Sequence, residues 1–206
     1  MLSPVPGLSF HEAIHRYYLD GHGWLAQSVT QVVGHDMPPA TRRHIDATRH
    51  EWEPRGVTCH SALEAALLGQ EQPDHGAYAD IIQPLLAHNL WKGAEILAVE
   101  YRLADARKSL AGSFDFLIRT ARGSVVLGDL KTVGSANGAK SRKPATEQLG
   151  AYCAMAIDHH PMLTIDKCVT FIAGPGVARV VAQDPSECIS AWLDCWDAYQ
   201  LLQPDF

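Results

Sequence analysis

Asp115, Asp129 and Lys131 are the residues of this chain whose types and spacing could do chemistry, and that chemistry is metal-assisted attack of water on a phosphodiester. Phe114, Phe116 and Ile118 alternate with Asp115 and Leu117, and Val125, Leu127 and Asp129 alternate with Val126 and Gly128, so both stretches read as strands. Ala121-Arg122-Gly123 between them fits a three-residue hairpin loop with glycine in its left-handed position. Pairing Thr120 with Ser124 across that loop sets Asp115 opposite Asp129. Facing carboxylates repel unless a cation lies between them. Oxygen ligands suit Mg²⁺ or Mn²⁺ better than zinc. Lys131 lies two residues beyond Asp129, so it emerges on the same face and can reach a group held by such an ion. The triplet Asp129-Leu130-Lys131 taken alone describes a surface strand ending in a salt bridge equally well, so its surroundings decide.

Two helices must present polar residues to this hairpin. Upstream, Arg55 opens a helical segment running to about Leu68, with His60 and Glu64 at i and i+4 on one face. Downstream, Pro144 stands at a helix start, and Gln148 and Tyr152 again fall at i and i+4. Glu100 lies in a further strand, Leu97 to Leu103; like Glu64 it is either an acid supporting the site or a solvated charge. Ile165 to Ala173 and Val177 to Ala182 read as a hairpin through Gly174-Pro175-Gly176. Asp184-Pro185-Ser186-Glu187 then caps a helix whose Trp192, Trp196 and Tyr199 fall at helical spacing, as core or as a subunit interface. The expected fold is α/β, a mixed twisted central sheet flanked by helices with the site at one edge of the central hairpin.

The series His60, Gly112-Ser113-Phe114-Asp115, Asp129-Leu130-Lys131 and Gln148 to Tyr152 resembles the PD-(D/E)xK nuclease superfamily. The likeness is to its RecB-type, lambda-exonuclease-like and mitochondrial genome maintenance exonuclease branch. His15 to Gly21 followed by Gln27-Ser28-Val29-Thr30 also looks like the opening of phage-type members, so the resemblance covers about residues 10 to 160. It implies a restriction-endonuclease-like core over 51–206, with residues 1–50 as a strand-turn-strand extension packed on it. It implies that Asp115, Asp129 and the Leu130 carbonyl bind Mg²⁺ or Mn²⁺, one ion or two, and that His60 completes or tunes the site. Lys131 would contact the attacking water and the scissile phosphate, as a base or as a stabilising cation. Gln148 and Tyr152 would position the lysine, a metal-bound water or the substrate strand. The implied activity is a DNA exonuclease working at ends in recombination, repair or replication. A nuclease-fold DNA-binding module without catalysis, or an endonuclease, remains the alternative. The expected partner is DNA, with a second copy or a single-strand annealing protein as candidate assembly partners.

Composition bounds the rest. The chain has 206 residues, 47 % hydrophobic, enough for a full core, and a net charge of −6. That charge argues against a simple DNA-coating protein, but Arg119, Arg122, Lys131, Lys140, Arg142 and Lys143 form a local basic strip suited to phosphates, and Arg55 joins Lys140, Arg142 and Lys143 as a candidate substrate-binding residue. Gly134 to Lys140 reads as a mobile loop beside the substrate. No secretory or membrane-spanning segment is evident, so a cytoplasmic protein is expected. Cys59, Cys153, Cys168, Cys188 and Cys195 contain no C-x-x-C pair, so no iron–sulfur cluster or structural zinc is expected and the cysteines read as buried thiols. His11-Glu12-Ala13-Ile14-His15 matches the zinc-protease pattern, but a strand and turn follow where a helix would be needed.

Overall fold

A computed structural model describes residues 1–202. Its frame is a six-stranded mixed sheet. The hairpin β6 (Leu110–Arg119) and β7 (Val125–Thr132) forms as the loop residues dictate. The Thr120 N–H donates to the Ser124 carbonyl at 2.9 Å, Gly123 takes a φ of 89°, and Phe116 pairs with Gly128. Asp115 and Asp129 occupy the next positions along that register, just beyond the last paired residues. β8 (Lys167–Gly174) runs parallel to β7, and β9 (Val177–Gln183) returns antiparallel.

The sheet has a gap, and the gap makes the site. β5 (Glu95–Asp105) lies antiparallel along the length of β6 and occupies one of its edges. The other edge is shared: β4 (Gln27–Ser28) pairs parallel with Leu110 and Ala111, while β7 pairs only from Phe116 onward. Gly112 to Asp115 therefore lies between two diverging neighbours, and Gly112, Ser113 and Asp115 line a cavity there while Phe114 turns into the core. Upstream, β1 (Leu8–His11), β2 (Arg16–Leu19) and β3 (Gly23–Trp24) form a separate antiparallel sheet, which packs on the core through Leu8, Tyr17, Leu19 and Leu25. His11 to His15 runs from the end of β1 through a single 3₁₀ turn, so the protease-like pattern has no α-helical face.

Helices cover both faces. α1 (Val29–Val33) is capped by Ser28, and with α6 (Thr146–His159) and α7 (Pro185–Leu201) it covers the face carrying Leu117 and Leu127. α2 (Pro39–Ala47) leads into α3 (Arg49–Leu68), which together with α4 (Ala79–Leu86) covers Phe116, Ile118 and Phe171. Trp192 and Trp196 are buried in the first of these cores. No helix among the described residues is long and apolar enough to cross a membrane.

Three expectations need correction. α3 begins at Arg49, ahead of Arg55, so it carries Trp52 and Arg55 on the same rod as His60. Gly134 to Lys140 is not a loop throughout, because α5 (Ala136–Ser141) forms within it. There the Ser135 side chain accepts from the Gly138 N–H, Ala139 is fully buried, and Arg179 donates to the Ala139 and Arg142 carbonyls. Burial and satisfied helix ends outweigh a glycine-rich sequence. α6 starts at Thr146 rather than Pro144, since Ala145 donates its N–H to Thr170 Oγ1 at 2.8 Å and stays out of helical geometry.

Candidate functional site

Asp115 stands in the gap and uses both carboxylate oxygens. Oδ2 accepts the Leu130 N–H across the gap, replacing a backbone partner that the diverging strands no longer supply. Oδ1 lies 2.9 Å from His60 Nδ1, brought in by α3. Glu100, between the Val99–Phe116 and Tyr101–Phe114 pairs, faces Asp115 across β5, and its Oε1 is 3.5 Å from His60 Nδ1. Its φ of 45° is a left-handed conformation that a glutamate adopts only when its surroundings enforce it.

Asp129 belongs to a second set, made with α6. Gln148 Nε2 donates to Asp129 Oδ1 at 2.8 Å and to Tyr152 Oη at 2.9 Å, while Gln148 Oε1 accepts from Lys131 Nζ at 2.8 Å. The i, i+4 spacing of Gln148 and Tyr152 is what makes their bond possible. Gly112 explains the close approach of α6 to the gap: a Cβ there would meet Tyr152 Cε1 at 2.6 Å. Only glycine lets the tyrosine lie against β6 at this point.

Charge divides the two aspartates. Burial opposes ionisation of Asp115, but His60, the Leu130 N–H and Lys131 outweigh it and hold its carboxyl below the usual range. Burial pushes Asp129 up, with Asp115 adding to the rise and Lys131 opposing it. Burial likewise raises Glu100, with His60 opposing the rise. It would lower His60, yet Asp115 and Glu100 lift that imidazole well above its ordinary value. Burial, then Asp129, drives Tyr152 well above the usual phenol range, so it stands as a neutral hydroxyl. Adjacent carboxyls with separated affinities for a proton are a feature of catalytic sites.

The residues fit a hard divalent cation. Ligand atoms of His60, Glu100 and Asp115 all lie within 4.8 Å of one another. Asp129 lies outside that group: its buried Oδ2 is ion-paired with Lys131 Nζ at 2.7 Å, and Lys131 is its only partner among the described residues. Glu100, which the sequence left undecided between support and solvation, sits among these donors, whereas Glu64 lies one turn further along α3. For Leu130, the contact formed is its N–H to Asp115.

Two adjoining cavities open here. The first, about 420 Å³, is lined by the two aspartates, Lys131, Gln148, Tyr152 and Arg55, among others. The second, about 670 Å³, extends along α3 from Trp52 to Glu64. Arg55 reaches the first cavity with its Nε buried and without a hydrogen bond among the described residues. Lys140, Arg142 and Lys143 are exposed and line neither cavity. Trp52, His15 and Tyr17 line both, and the sequence assigned none of them a role at the site, although His15 and Tyr17 fall in the segment that resembles the opening of phage-type members. A signal was present for the first, because Trp52, Gly56, His60 and Glu64 recur every fourth residue.

No protein-family model matches the chain, and no curated protein matches it. Among solved structures, that of SSO0001 aligns over 86 % of this chain and 76 % of its own length, at 17 % identity and a TM-score of 0.38. Likeness at that level carries no argument about the site.

Proposed function

We propose that this protein is a nuclease of the PD-(D/E)xK type that requires Mg²⁺ or Mn²⁺ and hydrolyses DNA at its ends. The observation that carries the reading is the convergence of Asp115, Asp129, Lys131, Gln148 and Tyr152, with His60 and Glu100, in one cavity at the gap of the sheet. Asp115, Asp129, Glu100 and His60 would hold the cation. When bound, it supplies an activated water and positive charge for the phosphate oxygens.

The chain's own groups do the rest. Lys131, an ammonium set between Asp129 and Gln148, is placed to stabilise negative charge developing on the phosphate. Gln148 fixes the lysine and Asp129 relative to one another through both ends of its amide. Tyr152 orients that amide from the buried side. Arg55, whose buried Nε has no partner among the described residues, offers a second cation to the phosphate backbone. The choice of exonuclease over endonuclease action rests on the likeness of these motifs to the exonuclease branch of the PD-(D/E)xK superfamily.

Linear DNA labelled at either end and circular DNA of the same sequence separate these possibilities. Linear substrates are expected to be degraded with Mg²⁺ or Mn²⁺, to survive in chelator or with Ca²⁺ alone, and circles to remain closed. Undiminished cleavage in chelator contradicts the mechanism, and nicked circles replace the exonuclease with an endonuclease.

A further inference from the structure

We infer that the second cavity is a nucleobase site: it receives the unpaired base of a nucleotide next to the scissile phosphate, which makes a single-stranded end the substrate. This inference rests on the nuclease reading above and adds what lies beside the reacting bond.

The two cavities adjoin, since His15, Tyr17, Trp52, Gly56, His60 and Glu100 line both. A strand whose phosphate lies at Asp115 and Lys131 can place an adjacent nucleotide in the second. The lining of the second cavity is aromatic. Phe10 meets the His15 ring edge-on at 5.0 Å and the Tyr17 ring at 4.7 Å, and Arg102 lies over Phe10. Trp52 is 37 % exposed, yet its Nε1 donates to the Ile45 carbonyl at 2.9 Å, so an indole open to solvent is held in one orientation. A fixed, exposed aromatic ring beside a phosphate site is a stacking surface for a base.

Charge separates base from backbone. The second cavity is lined by Glu12, Glu53, Glu64 and Glu100 against the single guanidinium of Arg102, whereas the first sets Arg55 and Lys131 against Asp115, Asp129 and Glu100, whose charge a bound divalent cation would offset. With that cation in place, phosphates would be drawn to the first part and repelled from the second. A base carries no charge, and its amino and ring N–H groups can donate to carboxylates. Glu53 is engaged by Arg49, but Glu64 makes no hydrogen bond or ion pair among the described residues and is available as that acceptor.

The backbone keeps the space open. Gly56 lies in the middle of α3 between Trp52 and His60, where glycine weakens a helix relative to alanine. A Cβ there would meet nothing within 4 Å, so packing does not require the glycine. Its missing side chain leaves a notch into both cavities. His15 (φ 51°) and Glu100 (φ 45°), two residues held in the left-handed region, line the same space.

The test is an abasic scan. Single-stranded oligonucleotides carrying one abasic residue at successive positions are digested in Mg²⁺ by the wild type, Trp52→Ala, Trp52→Phe and Gly56→Leu. In the wild type, one abasic position beside the cleaved bond should lower kcat/KM about tenfold. Trp52→Ala should cut the intact strand at that lowered level and show no further loss, with Trp52→Phe restoring most of it. Gly56→Leu, whose side chain fills the notch, should behave as Trp52→Ala does. Unpairing the terminal bases of a duplex should speed its digestion, because a paired base must first leave its stack. An equal abasic penalty in wild type and Trp52→Ala, or none at any position, overturns the base site and leaves the nuclease standing. If no strand is cut, the nuclease reading fails, and the base site is then judged by binding alone. Short oligothymidylate in Ca²⁺ should quench tryptophan fluorescence in the wild type but not in Trp52→Phe. A fully abasic oligomer of equal length should not quench it, and equal quenching by both overturns the inference.

Discussion

The two helices that close the site do so in opposite ways. α6 contributes buried Gln148 and Tyr152, whose side-chain hydrogen bonds among the described residues run to Asp129, Lys131 or one another. α3 contributes partly exposed Trp52, His60 and Glu64 along an open cavity, and only His60 among them reaches the aspartates. The α6 side resembles a core that happens to be polar, whereas the α3 side resembles a surface that happens to be ordered. On the proposed nuclease reading, rigid placement of the reacting groups and adaptable holding of a strand make different demands, which the two helices would meet separately.

The comparison breaks first at the reacting groups. Lys131→Ala and Asp129→Asn should each lower turnover by about a hundredfold to a thousandfold. Lys131→Ala should leave Mn²⁺ affinity near wild type, while Asp129→Asn weakens it, as paired titrations would reveal. Equal turnover in wild type and Lys131→Ala would remove the lysine from the chemistry. A smaller effect belongs to Gln148→Ala, about ten- to a hundredfold in kcat with KM little changed, because the amide acts through Lys131 and Asp129. A loss confined to KM would move Gln148 to substrate binding.

The smallest effects separate the two sides by stability. Gly112→Ala forces a Cβ to within 2.6 Å of Tyr152 Cε1 and 3.0 Å of Val29 Cγ2. It should cost roughly 1–3 kcal/mol in denaturant unfolding. Glu64→Gln, on the open side, should stay within about 0.5 kcal/mol of wild type. If both changes cost the same, the contrast between a packed and an open side is lost.

Legibility in the sequence follows the same division. The β6–β7 register could be read because Ala121-Arg122-Gly123 fixes it locally, and alternation carried that register to Asp115 and Asp129. Gln148 and Tyr152 were legible because helical spacing alone puts them on one face. The gap in the sheet was not, since it depends on β4 and β7 sharing an edge of β6 from positions far apart in the chain. Glu100 stayed undecided for a similar reason: only the β5 pairing puts it opposite Asp115, and its left-handed backbone leaves no mark in the sequence. α5 was missed because Gly134 and Gly138 argue for a loop, while the burial of Ala139 and the Arg179 bonds that favour a helix are tertiary. The cavity wall of His15, Tyr17 and Trp52 needs the N-terminal sheet to fold against α3, which no local pattern announces.

The central claim is that the carboxylates at the gap hold a divalent cation. Anomalous diffraction from crystals soaked in Mn²⁺ tests it most directly. An anomalous peak is expected at about 2.2 Å from carboxylate oxygens of Asp115 and Asp129, and absent from Asp129→Asn crystals treated alike. A Mn²⁺ peak touching neither aspartate, or a peak unchanged by Asp129→Asn, would contradict the account.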